Sequence, residues 1–184
     1  MSHAITGLAL LAAVTLVNAL LTVAVTKRWR ATMAAPAPAA TPSGPPALAV
    51  SEGDRAPAFT LHTARGEVGE SALAGHPALI CFLRPDCGPT RESLPGIRRW
   101  AEANTPSGAR LVAVINGQPG DAGPLLEAVG PLTGLTATEP PDGPVARAFG
   151  VRHHPSFVLL DADGTVTGAG VGQGSLPELD LLDA

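Results

Sequence analysis

Apolar residues run without a formal charge from Ala4 to Thr26, give way to the basic flank Lys27-Arg28-Trp29-Arg30, and then to an Ala/Pro-rich stretch reaching Val50. The first block is long enough to cross the roughly 30 Å hydrocarbon core of a bilayer as a helix, which predicts a transmembrane span over residues 4–26. A cleavable signal peptide has a basic start and a shorter apolar core. Here the chain opens Met-Ser-His and its basic cluster follows the core, so an uncleaved anchor is expected. Asn18 within the span is either a tolerated polar residue or a contact to another helix. The repeated prolines of residues 31–50 favour extended polyproline geometry. Residues 31–50 therefore act as a semi-rigid spacer of about 3 Å per residue, on the order of 60 Å at full reach, and with the basic flank they make residues 27–50 the linker.

From Ser51 the rhythm shortens, and residues 51–184 read as one domain. Thr60–Thr63 predicts a strand with Arg65-Gly66-Glu67 as the turn after it, and Ser71 to Gly75 a short helical connection. The apolar, β-favouring run Pro77-Ala78-Leu79-Ile80-Cys81-Phe82-Leu83 breaks at Arg84-Pro85 and restarts as Gly88-Pro89 followed by helix formers. It predicts a buried strand feeding a helix that runs to about Asn104. Ala109 to Ile115 is a second apolar strand, and Asp121 to Val129 a helix with Asp121 as its cap. Pro144 to Phe149 makes a further short helix stopped by Gly150. Strands alternating with helices predict an α/β sandwich around a central sheet.

Charge narrows the classes. The formal net charge is −4, and all 16 acidic residues follow residue 50 while Lys27, Arg28 and Arg30 precede it. An acidic domain lacks the basic face that phosphates require, which excludes nucleic acid as a partner. Of the 2 cysteines, Cys87 sits at the strand-to-helix junction, where unpaired backbone N–H groups and the positive end of the helix dipole favour a thiolate. Arg84 and Arg91 add to that effect and Asp86 opposes it, so the net sign stays open. His153 and His154 are either proton donors and acceptors near the sulfur or ordinary loop histidines. Cys87 with His153 and His154 lacks the paired spacing of a zinc or copper site, so neither metal nor cofactor is expected. His3, His62 and His76 are scattered and carry no assigned role.

Cys87-Gly88-Pro89-Thr90, a strand before it, and Pro95 eight residues after Cys87 resemble the active site of the thioredoxin superfamily in its membrane-tethered TlpA/ResA/MauD-like branch. Gly53-Asp54-Arg55-Ala56-Pro57-Ala58-Phe59-Thr60-Leu61 resembles the opening segment of TlpA-like and peroxiredoxin-like proteins. Gly150-Val151-Arg152-His153-His154-Pro155-Ser156-Phe157 resembles the loop in which such proteins place a cis proline against the active-site cysteine. The resemblance, over roughly Ser51 to Gly174, implies a thioredoxin-like fold with a central mixed sheet flanked by helices. It also implies thiol-disulfide oxidoreductase activity with Cys87 as nucleophile, and a substrate groove in which His154 offers its backbone beside Pro155. Arg84 and His153 are then candidates for proton relay or for tuning the sulfur.

The sequence departs from that pattern where a mixed disulfide is resolved. Thr90 stands where the second thiol belongs, and Cys81 where the family keeps a buried carboxylate. Three readings follow. Cys87 acts alone on protein thiols and disulfides with an external resolving thiol; Cys81 resolves it, against the geometry of six residues along a strand end; or the groove binds protein segments without covalent chemistry. A peroxiredoxin needs Thr three residues and Pro seven residues before its cysteine, where this chain has Arg84 and Ile80. The family works mostly outside the cytoplasmic membrane, so a single-pass protein with an extracytoplasmic domain is expected, although Lys27, Arg28 and Arg30 favour the cytoplasmic side by the positive-inside rule.

Overall fold

The computed structural model describes residues 48–63 and 66–178. The expected span over 4–26 and most of the spacer lie outside these residues. Among the described residues no helix is long and apolar enough to cross a membrane.

The organising strand is β3 (Ala78–Leu83), every residue of which is buried. The other elements in chain order are β1 (Thr60–Thr63), β2 (Gly66–Gly69) and α1 (Glu70–Leu73) before it. After it come α2 (Gly88–Asn104), β4 (Arg110–Asn116), α3 (Gly123–Val129), β5 (Leu135–Glu139), α4 (Pro144–Ala148), β6 (Ser156–Leu160) and β7 (Val166–Val171). A five-stranded sheet has the order β5-β4-β3-β6-β7. β4 lies parallel to both β3 and β5, while β6 runs antiparallel to β3 and β7. The sheet is therefore mixed: helical crossovers join its parallel strands β3, β4 and β5, and a tight return over residues 161–165 joins antiparallel β6 and β7.

A strand buried on both faces needs a layer on each side, and alternation along β3 assigns them. Leu79, Cys81 and Leu83 face Ile97, Trp100 and Ala101 of α2 with Leu125 and Val129 of α3. Ala78, Ile80 and Phe82 face a second cluster that includes Phe59, Leu61, Val68, Leu73, Val145 and Phe149. In that cluster the Phe149 ring meets Phe59 edge-on at 5.7 Å between centroids and Phe82 at 5.4 Å.

Several sequence expectations change. Gly66 and Glu67 open β2 instead of forming the turn, and pair with Thr63 and His62 of β1. Asp121 does not cap α3: the N-cap is Ala122, and the Asp121 N–H instead closes a turn onto the Gln118 carbonyl. Pro124 at the start of α3 explains the later boundary, because its fixed φ suits the first helical turn and its missing N–H costs nothing there. Val50, placed in the spacer by sequence, is buried in the core, and the N–H of Ala49 donates to the Phe149 carbonyl. Gly150 ends α4 as expected, in a Schellman turn. Its φ is +68°, its N–H reaches the Arg147 carbonyl, and Val151 N–H reaches that of Ala146.

Candidate active site

The end of β3 delivers the chain to the site. Arg84-Pro85-Asp86 reverses direction, with Asp86 in the left-handed region at φ +57°, and Cys87 becomes the N-cap of α2. Cys87 is half-buried, and its thiol points at the His154 carbonyl, 3.5 Å from Sγ to O. The His154–Pro155 peptide bond is cis. The structure thus brings Cys87 and the two groove residues together from positions 67 apart in sequence.

Thr90 is fully buried, and its hydroxyl accepts the Arg84 backbone N–H at 3.4 Å while its carbonyl accepts the Ser93 hydroxyl at 2.7 Å. The side chain in the resolving position therefore ties the loop before Cys87 to the first turn of α2. Gly88 and Pro89 form that turn, with Pro89 exposed. Cys81 is a free thiol facing the α2 layer, and burial pushes its pKa far up, so it stays protonated and inert. Cys87 is likewise a free thiol.

Arg84 and His153 are both exposed. Their charge acts on His154, whose pKa is pushed down to about 4, first by burial, then by Arg84 and by His153, with Asp142 opposing. His154 is therefore neutral at physiological pH. Its Nε2 lies 3.0 Å from Oδ1 of Asn116, whose Nδ2 donates to Oε1 of Glu139 at 2.8 Å. Glu139 in turn accepts the backbone N–H groups of Val145 at 3.1 Å and Ala146 at 2.9 Å in the first turn of α4. Asn116 and Glu139 are both buried polar residues, at 0% and 7% exposure. Sequence reasoning misses them. The available signal is a polar side chain ending an otherwise apolar strand, immediately before Gly117.

An open groove of about 570 Å³ adjoins the sulfur, bounded by Arg84, Asp86, Cys87, Asn116, Gln118 and Asp121. Gly117 lets its floor close, because a Cβ there would fall 2.8 Å from Cγ of Pro85. No cluster of three metal-ligating side chains occurs among the described residues.

The profile of the AhpC/TSA family matches residues 52–169. The chain belongs to the AhpC/TSA family. Within solved structures this AhpC/TSA chain is similar to a Chlorobium tepidum protein assigned as the thiol:disulfide interchange protein DsbE. Identity is 32%, with 67% of this chain and 86% of that one covered and a TM-score of 0.60. A secreted Mycobacterium tuberculosis disulfide oxidoreductase homologous to E. coli DsbE matches at 25% identity over 65% of this chain and 87% of that one, TM-score 0.53. The thioredoxin domain of a Bacteroides vulgatus thiol-disulfide oxidoreductase shares the fold at 19% identity, with 69% and 93% coverage and a TM-score of 0.57. No curated protein matches the chain. The fold is thioredoxin-like, with the mixed central sheet that the sequence leads one to expect.

Proposed function

We propose that this is a TlpA-like, membrane-tethered thiol-disulfide oxidoreductase that works through Cys87 alone, with protein disulfides as substrates and an external thiol as resolver. The observation that carries the reading is the pairing of a half-exposed helix-capping thiol with the cis His154–Pro155 turn, while Thr90 is buried and bonded and Cys81 is sealed in the core. The Cys87 thiolate attacks one sulfur of a substrate disulfide, forms a mixed disulfide and releases the other sulfur as a thiolate. A second, external thiolate then attacks the mixed disulfide, takes the substrate sulfur into a new disulfide and returns Cys87 as thiolate. Electrons pass from the external thiol to the substrate, and the protein ends unchanged.

Residues 4–26 anchor the protein as a single-pass span, and the spacer carries the domain on the extracytoplasmic face, against the pull of Lys27, Arg28 and Arg30. The competing reading is a redox-silent binding module using the same turn. Peroxide reduction is disfavoured by Arg84 and Ile80 at the positions where that chemistry needs Thr and Pro; Ile80 is fully buried in β3. Mass spectrometry of the full-length chain after oxidised glutathione, beside Cys87→Ser, separates these. One persistent adduct on Cys87, removed by added thiol, is expected. An adduct lost unaided together with two hydrogens transfers the resolving role to Cys81. Absence of any adduct in the folded protein favours the binding module, and preferential oxidation of Cys87 by dilute peroxide favours a peroxidase.

A further inference from the structure

The buried polar chain behind the cis-proline turn has a fixed direction. Backbone N–H groups of Val145 and Ala146 can only donate, so the oxygens of Glu139 are acceptors. Asn116 must then turn its NH2 toward Glu139 and its Oδ1 toward His154. An amide oxygen accepts and never donates, so His154 Nε2 must carry the hydrogen. Both middle members are buried, and reversing any one link would set donor against donor or acceptor against acceptor in a water-poor site.

We propose that Glu139 and Asn116 are positioning residues that hold His154 as the Nε2–H tautomer, leaving Nδ1 bare as a hydrogen-bond acceptor for the segment or thiol that docks on the His154–Pro155 turn. This rests on the disulfide-exchange reading of Cys87. Neutrality of the ring fits the groups around it. Burial disfavours a charge on the ring most, Arg84 and then His153 act in the same direction, and Asp142 opposes them. Asn116 selects which nitrogen is protonated, whereas burial and Arg84 favour only one being so. The arrangement orients the turn's ring from behind, as outer partners of a ligand histidine do in other sites. His154 then faces a docking partner with one defined acceptor through the neutral pH range.

The test is nuclear magnetic resonance of the imidazole nitrogens in the full-length chain carrying nitrogen-labelled histidine. The His154 signals are assigned by difference from His154→Ala. The expected result is protonated Nε2 and bare Nδ1 between about pH 5 and 8. In Asn116→Ala, His154 should show a mixture of tautomers, and mixed-disulfide formation with oxidised glutathione should slow on the order of ten-fold. Alkylation of Cys87 by iodoacetamide, which needs no docking acceptor, should change far less than the exchange rate, with any change owed to the wider groove beside Asn116. Should Asn116→Ala fail to fold, Asn116→Leu, close to Asn in size and unable to accept from His154, is expected to show the same mixture of tautomers and the same slowing. A bare Nε2 in the unmodified protein, or a tautomer indifferent to whichever of Asn116→Ala and Asn116→Leu folds, overturns the proposal. If Cys87 forms no mixed disulfide at all, the exchange reading falls by itself and the tautomer measurement still decides this one.

Discussion

The two sides of the Cys87 groove are held by different means. On the sulfur's own side, the Arg84–Asp86 reversal and the start of α2 are secured mainly by backbone geometry, by the buried Thr90 hydroxyl, and by the close approach of Pro85 to Gly117. On the opposite side, three polar side chains in series connect the His154–Pro155 turn to the first turn of α4. Buried polar side chains occur on both sides: Thr90 and Ser93 on the Cys87 side bond to nearby backbone, whereas Asn116 and Glu139 on the other bond in series to each other and to α4. The proposed exchange, completed by an outside thiol, needs no internal partner beside the sulfur, so local bonds to backbone suffice there. Reception of an extended segment needs a turn of fixed shape, which is what a satisfied buried network provides.

The contrast can be broken from either side. The largest change is expected from Thr90→Cys, which restores a second thiol at the first turn of α2. The adduct on Cys87 should no longer persist but should resolve within the chain, seen as loss of the glutathione mass together with two hydrogens; a stable adduct would show that the missing thiol is not what distinguishes this side. Next is Gly143→Ala, whose Cβ would fall 2.3 Å from the Glu139 carboxyl carbon. It should cost about 1–3 kcal/mol by urea unfolding, since displacing Glu139 strands the Val145 and Ala146 N–H groups and unseats Asn116. Gly117→Ala presses instead on Pro85, a rigid ring beside Cys87. A similar or smaller cost is expected, about 1–2 kcal/mol, with a changed alkylation rate of Cys87 and an unchanged His154 tautomer.

The smallest effect is one of pH. The His154 pKa is about 4 in the fold against 6.5 for the free side chain. Between those values the unfolded chain binds a proton that the native protein does not. His154 therefore contributes stability that is complete above about pH 6.5 and is lost as pH falls toward 4. Partial exposure of the ring keeps the loss small. A thermal midpoint that falls over this window more steeply in the unmodified protein than in His154→Gln is the expected outcome; parallel curves would leave His154 without an energetic role.

What could be read from the sequence follows the same division. The junction from β3 to α2 is legible because an unbroken apolar run, a Pro break and a Gly-Pro restart are local signals, and α2 begins and ends where they place it. β2 is hidden because Gly66 and Gly69 bracket it and glycine argues against a strand. β5 is hidden because Leu-Thr-Ala-Thr-Glu is short, only partly apolar and partly exposed. With β5 goes Glu139, whose partner Asn116 is 23 positions away and belongs to the neighbouring strand. Asp121 misleads for a local reason: it is a good capping residue standing one position too early, and it lines the groove instead.

Gly150 admits the preceding chain as well as ending α4. A Cβ there would fall 2.4 Å from that of Ala49, so this glycine is the seat into which residues 49 and 50 fit. One end of the five-residue helix therefore holds the incoming polypeptide through the Ala49–Phe149 hydrogen bond, and the other holds Glu139. A pull on the domain from the direction of Leu48 loads α4 through the Ala49–Phe149 hydrogen bond. The mechanical load path and the polar chain behind His154 meet on one short helix.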